Sequence, residues 1–227
     1  MNPNSINPKI NNVDFFNNKE NSTSAAIDDW CTTKDFYAYK RYTLNSYFES
    51  INEALRSGFT NDFSIKYDIQ QLDNVFKTIP EKIKPQKDME VYRGAYLSDE
   101  LKNIIKGNSK TNIYTDQGFV STSKNINVAN RFAKGNDKVL LHITIPKGSS
   151  VIEDEKLPSY ARSKMKEEEV LLPRNSQFKI LSYNPITKTV EAEFIGQKKP
   201  LDFPTYTEDS GRNTLSDINK IFINKKF

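Results

Sequence analysis

The sequence predicts an α+β fold in which amphipathic helices come first and short strands follow. Two observations carry that expectation. Apolar and aromatic residues recur at helical spacing from Tyr39 to Leu55, whereas beyond the linker IPEKIKPQKD they gather in short runs bounded by Gly, Pro and polar turns. A regular alternation of strands and helices, which would indicate a doubly wound parallel sheet, is not the pattern.

Residues 1–24 are rich in Asn, Ser and Pro and read as a flexible leader. One domain then spans 25–197. In DFYAYKRYTLNSYFESINEALRSG, Tyr39, Tyr42, Tyr47, Ile51, Ala54 and Leu55 form the buried stripe of one helix, and Gly58 stops it. A second helix is expected over 63–79, ending before Pro80. MEVYRGAYL is a strand, LSDELKNIIKG a short helix capped by Ser98, and IYTDQGFVSTS a strand with a turn at its middle. NINVANRFAKG reads as a helix, KVLLHITIPKG as a strand and turn, and SVIEDE as another short strand. The polar loop KLPSYARSKMK leads into KEEEVLLPRNSQFKIL, read as one glutamate-led strand, and YNPITKTVEAEFI supplies a turn and the last strand. The tail 198–227 packs on the same domain, with DINKIFINKKF as a helix, a strand or a docking segment.

Composition narrows the chemistry. The 227 residues are 36% hydrophobic and 11% aromatic, enough for a sizeable core. A net charge of +4 from 33 basic and 29 acidic residues mixed along the chain says little about nucleic-acid or membrane partners, and no nucleic-acid partner is expected. No apolar run is long enough to span a membrane, and the N-terminus lacks the basic start and apolar centre of a signal peptide. Cys31 is the single cysteine and His142 the single histidine, which excludes internal disulfides, multi-cysteine zinc sites and histidine clusters. His142 alternates with apolar neighbours in KVLLHITI and reads as a strand-face residue. No metal is expected. Carboxylates and hydroxyls must carry any catalysis.

Three stretches could do so. Strand alternation would put Glu167 and Glu169 on one face and Glu168 on the other, so the first two share a site. Carboxylates at the mouth of a buried strand need partners or a cleft, and two of them can divide labour at a glycosidic carbon. Arg93, beside Val91 and Tyr92, demands an anion: either an internal ion pair with a glutamate or a bound phosphate, for which Gly94 leaves room. In GFVSTSKN a strand ends in Ser121, Thr122 and Ser123, whose hydroxyls can orient a carboxylate.

In this order the motifs resemble the R-S-E class of bacterial mono-ADP-ribosyltransferase toxins, such as the catalytic domains of iota-type binary toxins and their single-chain relatives. The resemblance runs from Tyr39 to Ile195 and includes the helix pattern YTLNSYFESINEALR, Phe132 after the STS strand, and the IPKG turn at 145–148. It implies an ADP-ribosyltransferase-like fold, N-terminal helices packed on a split two-sheet β core, and a secreted or injected bacterial enzyme acting as a monomer in the host cytosol. The co-substrate would be NAD. Glu169 would be the catalytic carboxylate, and Glu167, first in E-x-E, would select an arginine of a host protein as acceptor. Arg93 would hold NAD phosphate and Ser121 would fix Glu169, with Thr122 and Ser123 in support. Phe132 would pack near nicotinamide, and Tyr42, Tyr47 and Asn52 would line the same cleft. Where relatives carry an arginine after the aromatic, Lys134 would make the phosphate contact. Tyr160 would read the acceptor. A different acceptor residue, plain NAD hydrolysis, or an inactive relative serving as a binding module are the alternatives.

Overall fold

The structure is a computed structural model that describes residues 24–43, 47–163 and 167–199. All of the expected leader except residue 24, and all of the tail beyond residue 199, lie outside the described residues. Helices come first: α1 over 24–31, α2 (Lys34–Tyr42), α3 (Tyr47–Ser57) and α4 (Phe63–Lys77). The strands are β1 (Met89–Tyr96), β2 (Ile113–Asp116), β3 (Val120–Ser123), β4 (Lys138–Ile145), β5 (Ile152–Glu153), β6 (Glu169–Leu172), β7 (Ser176–Asn184) and β8 (Thr189–Gln197). Two short helices, α5 (Asp99–Ile105) and α6 (Ile126–Phe132), lie between strands.

The single helix expected over Tyr39–Gly58 is two. Thr43 closes α2: its backbone N–H bonds the Tyr39 carbonyl and its hydroxyl donates to the Lys40 carbonyl at 3.1 Å. The stripe nevertheless reads as continuous in sequence because Phe36, Tyr39 and Tyr42 of α2 and Ile51, Ala54 and Leu55 of α3 enter one core. Helix α4 begins as expected, with the Asp62 carboxylate accepting the Ser64 N–H at 2.8 Å. Ser98 caps α5, its hydroxyl accepting the Leu101 N–H at 3.2 Å.

The strands run in the order β2-β7-β8-β4-β1-β3-β6-β5. Antiparallel β1 and β4 pair over their full length, and β4 meets β8 in parallel. Between β1 and β3 there is one registered pair, Tyr92 with Ser123. The two expected sheets are therefore two blocks of one hydrogen-bonded order, hinged at that pair. The helices pack on the smaller block, sharing a core with Phe119, Ile152 and Leu171, while Val91, Leu141, Val170 and Phe178 belong to a second core.

Two chain segments cross between blocks, each at a break that sequence periodicity does not reveal. IYTDQGFVSTS turns from β2, which pairs with β7, into β3, which pairs with β6. KEEEVLLPRNSQFKIL forms β6 and β7, not one strand. Pro173 has no N–H for a ladder, Asn175 is left-handed at φ 56°, and Arg174 turns inward to grip Asp73 of α4 at 2.7 Å. β6 itself is buried on both faces, with Leu171 in one core and Val170 and Leu172 in the other. That is why it reads as an unbroken apolar run.

Candidate active site

A cleft of about 710 Å³ opens where β1 and β3 diverge. Arg93, Ser121, Glu167, Glu169 and Phe132 all line it. Residues far apart in sequence thus meet at the hinge between blocks.

Arg93 projects from β1 with its side chain largely buried. Its Nη1 donates to the Ser121 carbonyl at 2.7 Å, its Nη2 lies 3.6 Å from Asp116 Oδ2, and its buried Nε has no partner. The acidic neighbour expected among the glutamates is Asp116. That carboxylate also receives Arg56 of α3 at 3.1 Å and the Gly118 N–H at 3.0 Å. Two guanidinium groups around one carboxylate leave this wall of the cleft with a surplus positive charge and an unused donor, which suits a phosphate group.

The hydroxyl strand works through both its backbone and its side chains. Ser121 hydrogen-bonds the Glu169 carboxyl and favours its ionised form. Thr122 donates to the Val170 carbonyl at 2.7 Å, and Ser123 donates to the Glu167 carbonyl at 2.6 Å. The strand therefore fixes the backbone of the very segment that carries both glutamates.

Glu167 and Glu169 share the cleft and Glu168 does not, but the cause is not strand alternation. β6 starts only at Glu169. Glu168 adopts φ 49°, which turns its side chain toward Asn125 while its carbonyl accepts the Lys124 N–H at 3.1 Å. Such a left-handed residue costs about 1 kcal/mol, offset here by the contacts that hold it. Burial raises the Glu169 carboxyl from an ordinary 4.5 to about 7; Asp154 and Glu167 push in the same direction, while Ser121 and Arg93 oppose it. Asp154 is itself buried, accepting the Tyr39 hydroxyl at 3.2 Å and the Ser163 N–H at 2.7 Å. Glu167 pairs with Arg131 of α6 at 3.4 Å.

Of the other expected positions, Gly94 and Phe132 line the cleft, Asn52 lines an adjoining pocket with Arg93 and Ser121, and Tyr42, Tyr47, Lys134 and Tyr160 line neither. Tyr42 is 1% exposed and lies outside the cleft lining; burial pushes its phenol up to about 12. Its hydroxyl donates to the Phe119 carbonyl at 3.2 Å. Asn52 accepts the Phe119 N–H at 2.8 Å and donates to the Tyr42 hydroxyl at 2.9 Å, so it binds the start of β3 as a neighbouring strand would. Tyr47 donates to Asp68 at 2.8 Å and Tyr160 to Asp28 at 2.7 Å, both outside the cleft lining. Phe132 stands half-exposed at the end of α6. Gly94 makes room for that helix: a Cβ here would lie 2.4 Å from the Ala133 nitrogen. Lys134 is exposed and outside the lining, whereas Arg56 lines the cleft beside Arg93. His142 stacks on Tyr92 at 4.7 Å between Glu90 and Glu191, on the strand face as expected.

Sequence reading missed Asp116, Asp154, Arg56 and Arg131. Arg56 had a signal, since it closes the INEALR pattern; the two aspartates, at ordinary strand ends, had none. Among the described residues no helix is long and apolar enough to cross a membrane, and no His, Cys, Asp or Glu cluster is arranged for a metal.

Comparison with known proteins fits this architecture. No curated protein matches the sequence. Among solved structures the chain is similar to Plx2a, an ADP-ribosyltransferase toxin from Paenibacillus larvae, at 21% identity and TM-score 0.56, over 79% of this chain and 96% of that one. It is also similar to the ADP-ribosyltransferase Vis of Vibrio splendidus, solved in complex with agmatine, at 18% identity and TM-score 0.54, over 83% and 88% of the two chains. C3stau2 from S. aureus, solved with NAD, matches at 21% identity and TM-score 0.53, over 77% and 93%. These likenesses establish the fold. The ADP-ribosyltransferase exoenzyme family model matches residues 12–224, and the chain belongs to that family.

Proposed function

We propose that this chain is an R-S-E class enzyme that cleaves the nicotinamide–ribose bond of NAD and transfers ADP-ribose to an arginine of a host protein. The observation that carries this reading is the pair Glu167 and Glu169 opening on the same cleft as Arg93. NAD suits the cleft because Arg93 and Arg56 offer donors to a diphosphate while Phe132 offers an aromatic face to nicotinamide. The bound NAD of C3stau2 agrees with this assignment.

Each residue then has a physical task. Arg93 and Arg56 hold phosphate oxygens. Glu169, oriented by Ser121, holds a ribose hydroxyl and stabilises positive charge as the glycosidic bond lengthens, an electrostatic contribution of roughly 3 kcal/mol when preorganised. The electron pair of the breaking bond leaves with nicotinamide. An arginine acceptor arrives protonated and is a poor nucleophile, so Glu167 binds its guanidinium and takes a proton. The existing contact between Glu167 and Arg131 favours a guanidinium at this position, and Vis, solved in complex with agmatine, is a similar protein that binds a guanidinium compound.

We further assign the enzyme to secretion or injection by a bacterium, with its acceptor in the host cytosol and a monomer as the active form. The test incubates wild type, Glu169→Ala and Glu167→Ala with labelled NAD and host lysate, following nicotinamide release and protein labelling. Wild type should do both, Glu169→Ala neither, and Glu167→Ala only the first. A wild type that releases no nicotinamide contradicts the proposal, and a label on a residue other than arginine contradicts the acceptor assignment.

A further inference from the structure

Arg131 lies on α6, one residue before Phe132, with its side chain 62% exposed. It contacts Glu167, Nη2 donating to Oε1 at 3.4 Å. The other arginines among the described residues are committed elsewhere: Arg93 and Arg56 to Asp116, Arg41 to Asp68, Arg174 to Asp73, and Arg162 to the Leu157 carbonyl. Among the described residues Arg131 alone offers its guanidinium to a glutamate of the E-x-E pair.

The backbone beneath Arg131 is fixed, because α6 sits against Gly94 of β1 too closely for even a methyl group. The side chain is not. An exposed ion pair with a long contact distance holds a flexible arginine only loosely, and although Arg131 is not itself a lining residue, its neighbour Phe132 and its partner Glu167 both line the cleft. A guanidinium of the chain itself is thus tethered where an incoming acceptor would bind, at the high effective concentration of an intramolecular group.

We propose that Arg131 is a self-modification site: the enzyme transfers ADP-ribose to its own Arg131 in cis. This rests on the NAD-cleaving reading given above. In the step, the bond between ribose C1′ and the nicotinamide nitrogen breaks, and its electron pair leaves with nicotinamide. A bond forms between C1′ and an Arg131 terminal nitrogen, and the proton lost from the guanidinium passes to Glu167. The product places a diphosphate beside Glu167 and Phe132, where it obstructs the next acceptor. The reaction is therefore self-limiting.

The experiment incubates the purified full chain with NAD over a wide dilution series and follows intact mass, the modified residue by fragment sequencing, and nicotinamide release. One ADP-ribose on Arg131 is expected, at an initial rate per molecule that does not change with dilution. Arg131→Gln should lower self-labelling about tenfold or more while nicotinamide release persists. Glu167→Gln should release nicotinamide without self-labelling. Normal nicotinamide release with Arg131 unmodified overturns this inference alone, as does labelling that survives Arg131→Gln. A rate that falls in proportion to dilution overturns transfer in cis. Absence of nicotinamide release from wild type overturns the NAD reading, and this inference with it.

Discussion

Two carboxylates of the cleft, Asp116 and Glu169, face opposite electrostatic circumstances. Asp116 is surrounded by donors: the guanidinium groups of Arg56 and Arg93 and the N–H of Gly118. Glu169 has Ser121 as its hydrogen-bond partner and Arg93 as a favourable charge, against burial, Asp154 and Glu167, and its carboxyl rises to about 7. A carboxylate with its charge satisfied serves as a positioning group, here aiming two arginines. One kept short of cations gains most from positive charge that develops beside it. On the proposed reading Asp116 holds the site and Glu169 meets the substrate.

Removing the charge at each carboxylate has the largest expected effects. Glu169→Gln is nearly isosteric and should lower NAD cleavage about 100- to 1,000-fold with little change in affinity for NAD, as a kcat and KM comparison would establish. Asp116→Asn should act through binding and folding instead. Two arginines left facing each other destabilise the chain by roughly 2–3 kcal/mol, which denaturant unfolding would measure, with nicotinamide release at saturating NAD reduced far less than in Glu169→Gln. Equal losses of kcat in the two variants would erase the distinction.

A smaller effect sharpens the same point through pH. The folded state holds the Glu169 proton up to about pH 7, whereas the ordinary carboxyl releases it near 4.5. Between those values the folded chain binds more protons than the unfolded one, so this group's contribution to stability is full below the lower value and is lost as pH rises through the upper. Glu169→Gln should therefore be more stable than wild type at pH 8, with the advantage vanishing at pH near 4, as thermal melts at the two pH values would record. Smaller again, Gly94→Ala should cost about 1–3 kcal/mol by forcing α6 off β1, and should raise KM for NAD because Phe132 moves with the helix.

Much of the fold was legible because it rests on local rules. Ser98 caps the helix that follows it, and Gly94 marks a close approach, although of a helix where a ligand was expected. What was not legible depends on distant partners. The aromatic stripe predicted that Tyr42 is helical but not that its hydroxyl holds β3, since its partner Phe119 is 77 residues away. Asp116 meets Arg56 across 60 residues. The glutamate pair was identified through strand pleating, yet a left-handed Glu168 and the hydroxyl of Ser123 produce the arrangement. Pro173 and Arg174 divide a run that periodicity reads as one strand, because Arg174 is drawn inward to Asp73.

On the proposed reading an ionised Glu169, its carboxyl pushed up to about 7 chiefly by burial, drives cleavage of NAD. The pH dependence of kcat/KM for nicotinamide release reports the essential groups of the free enzyme and tests this most directly. The rate should rise with pH through a midpoint near 7 and then level off. A profile that is flat from pH 5 to 8, or one that falls as Glu169 loses its proton, would contradict it.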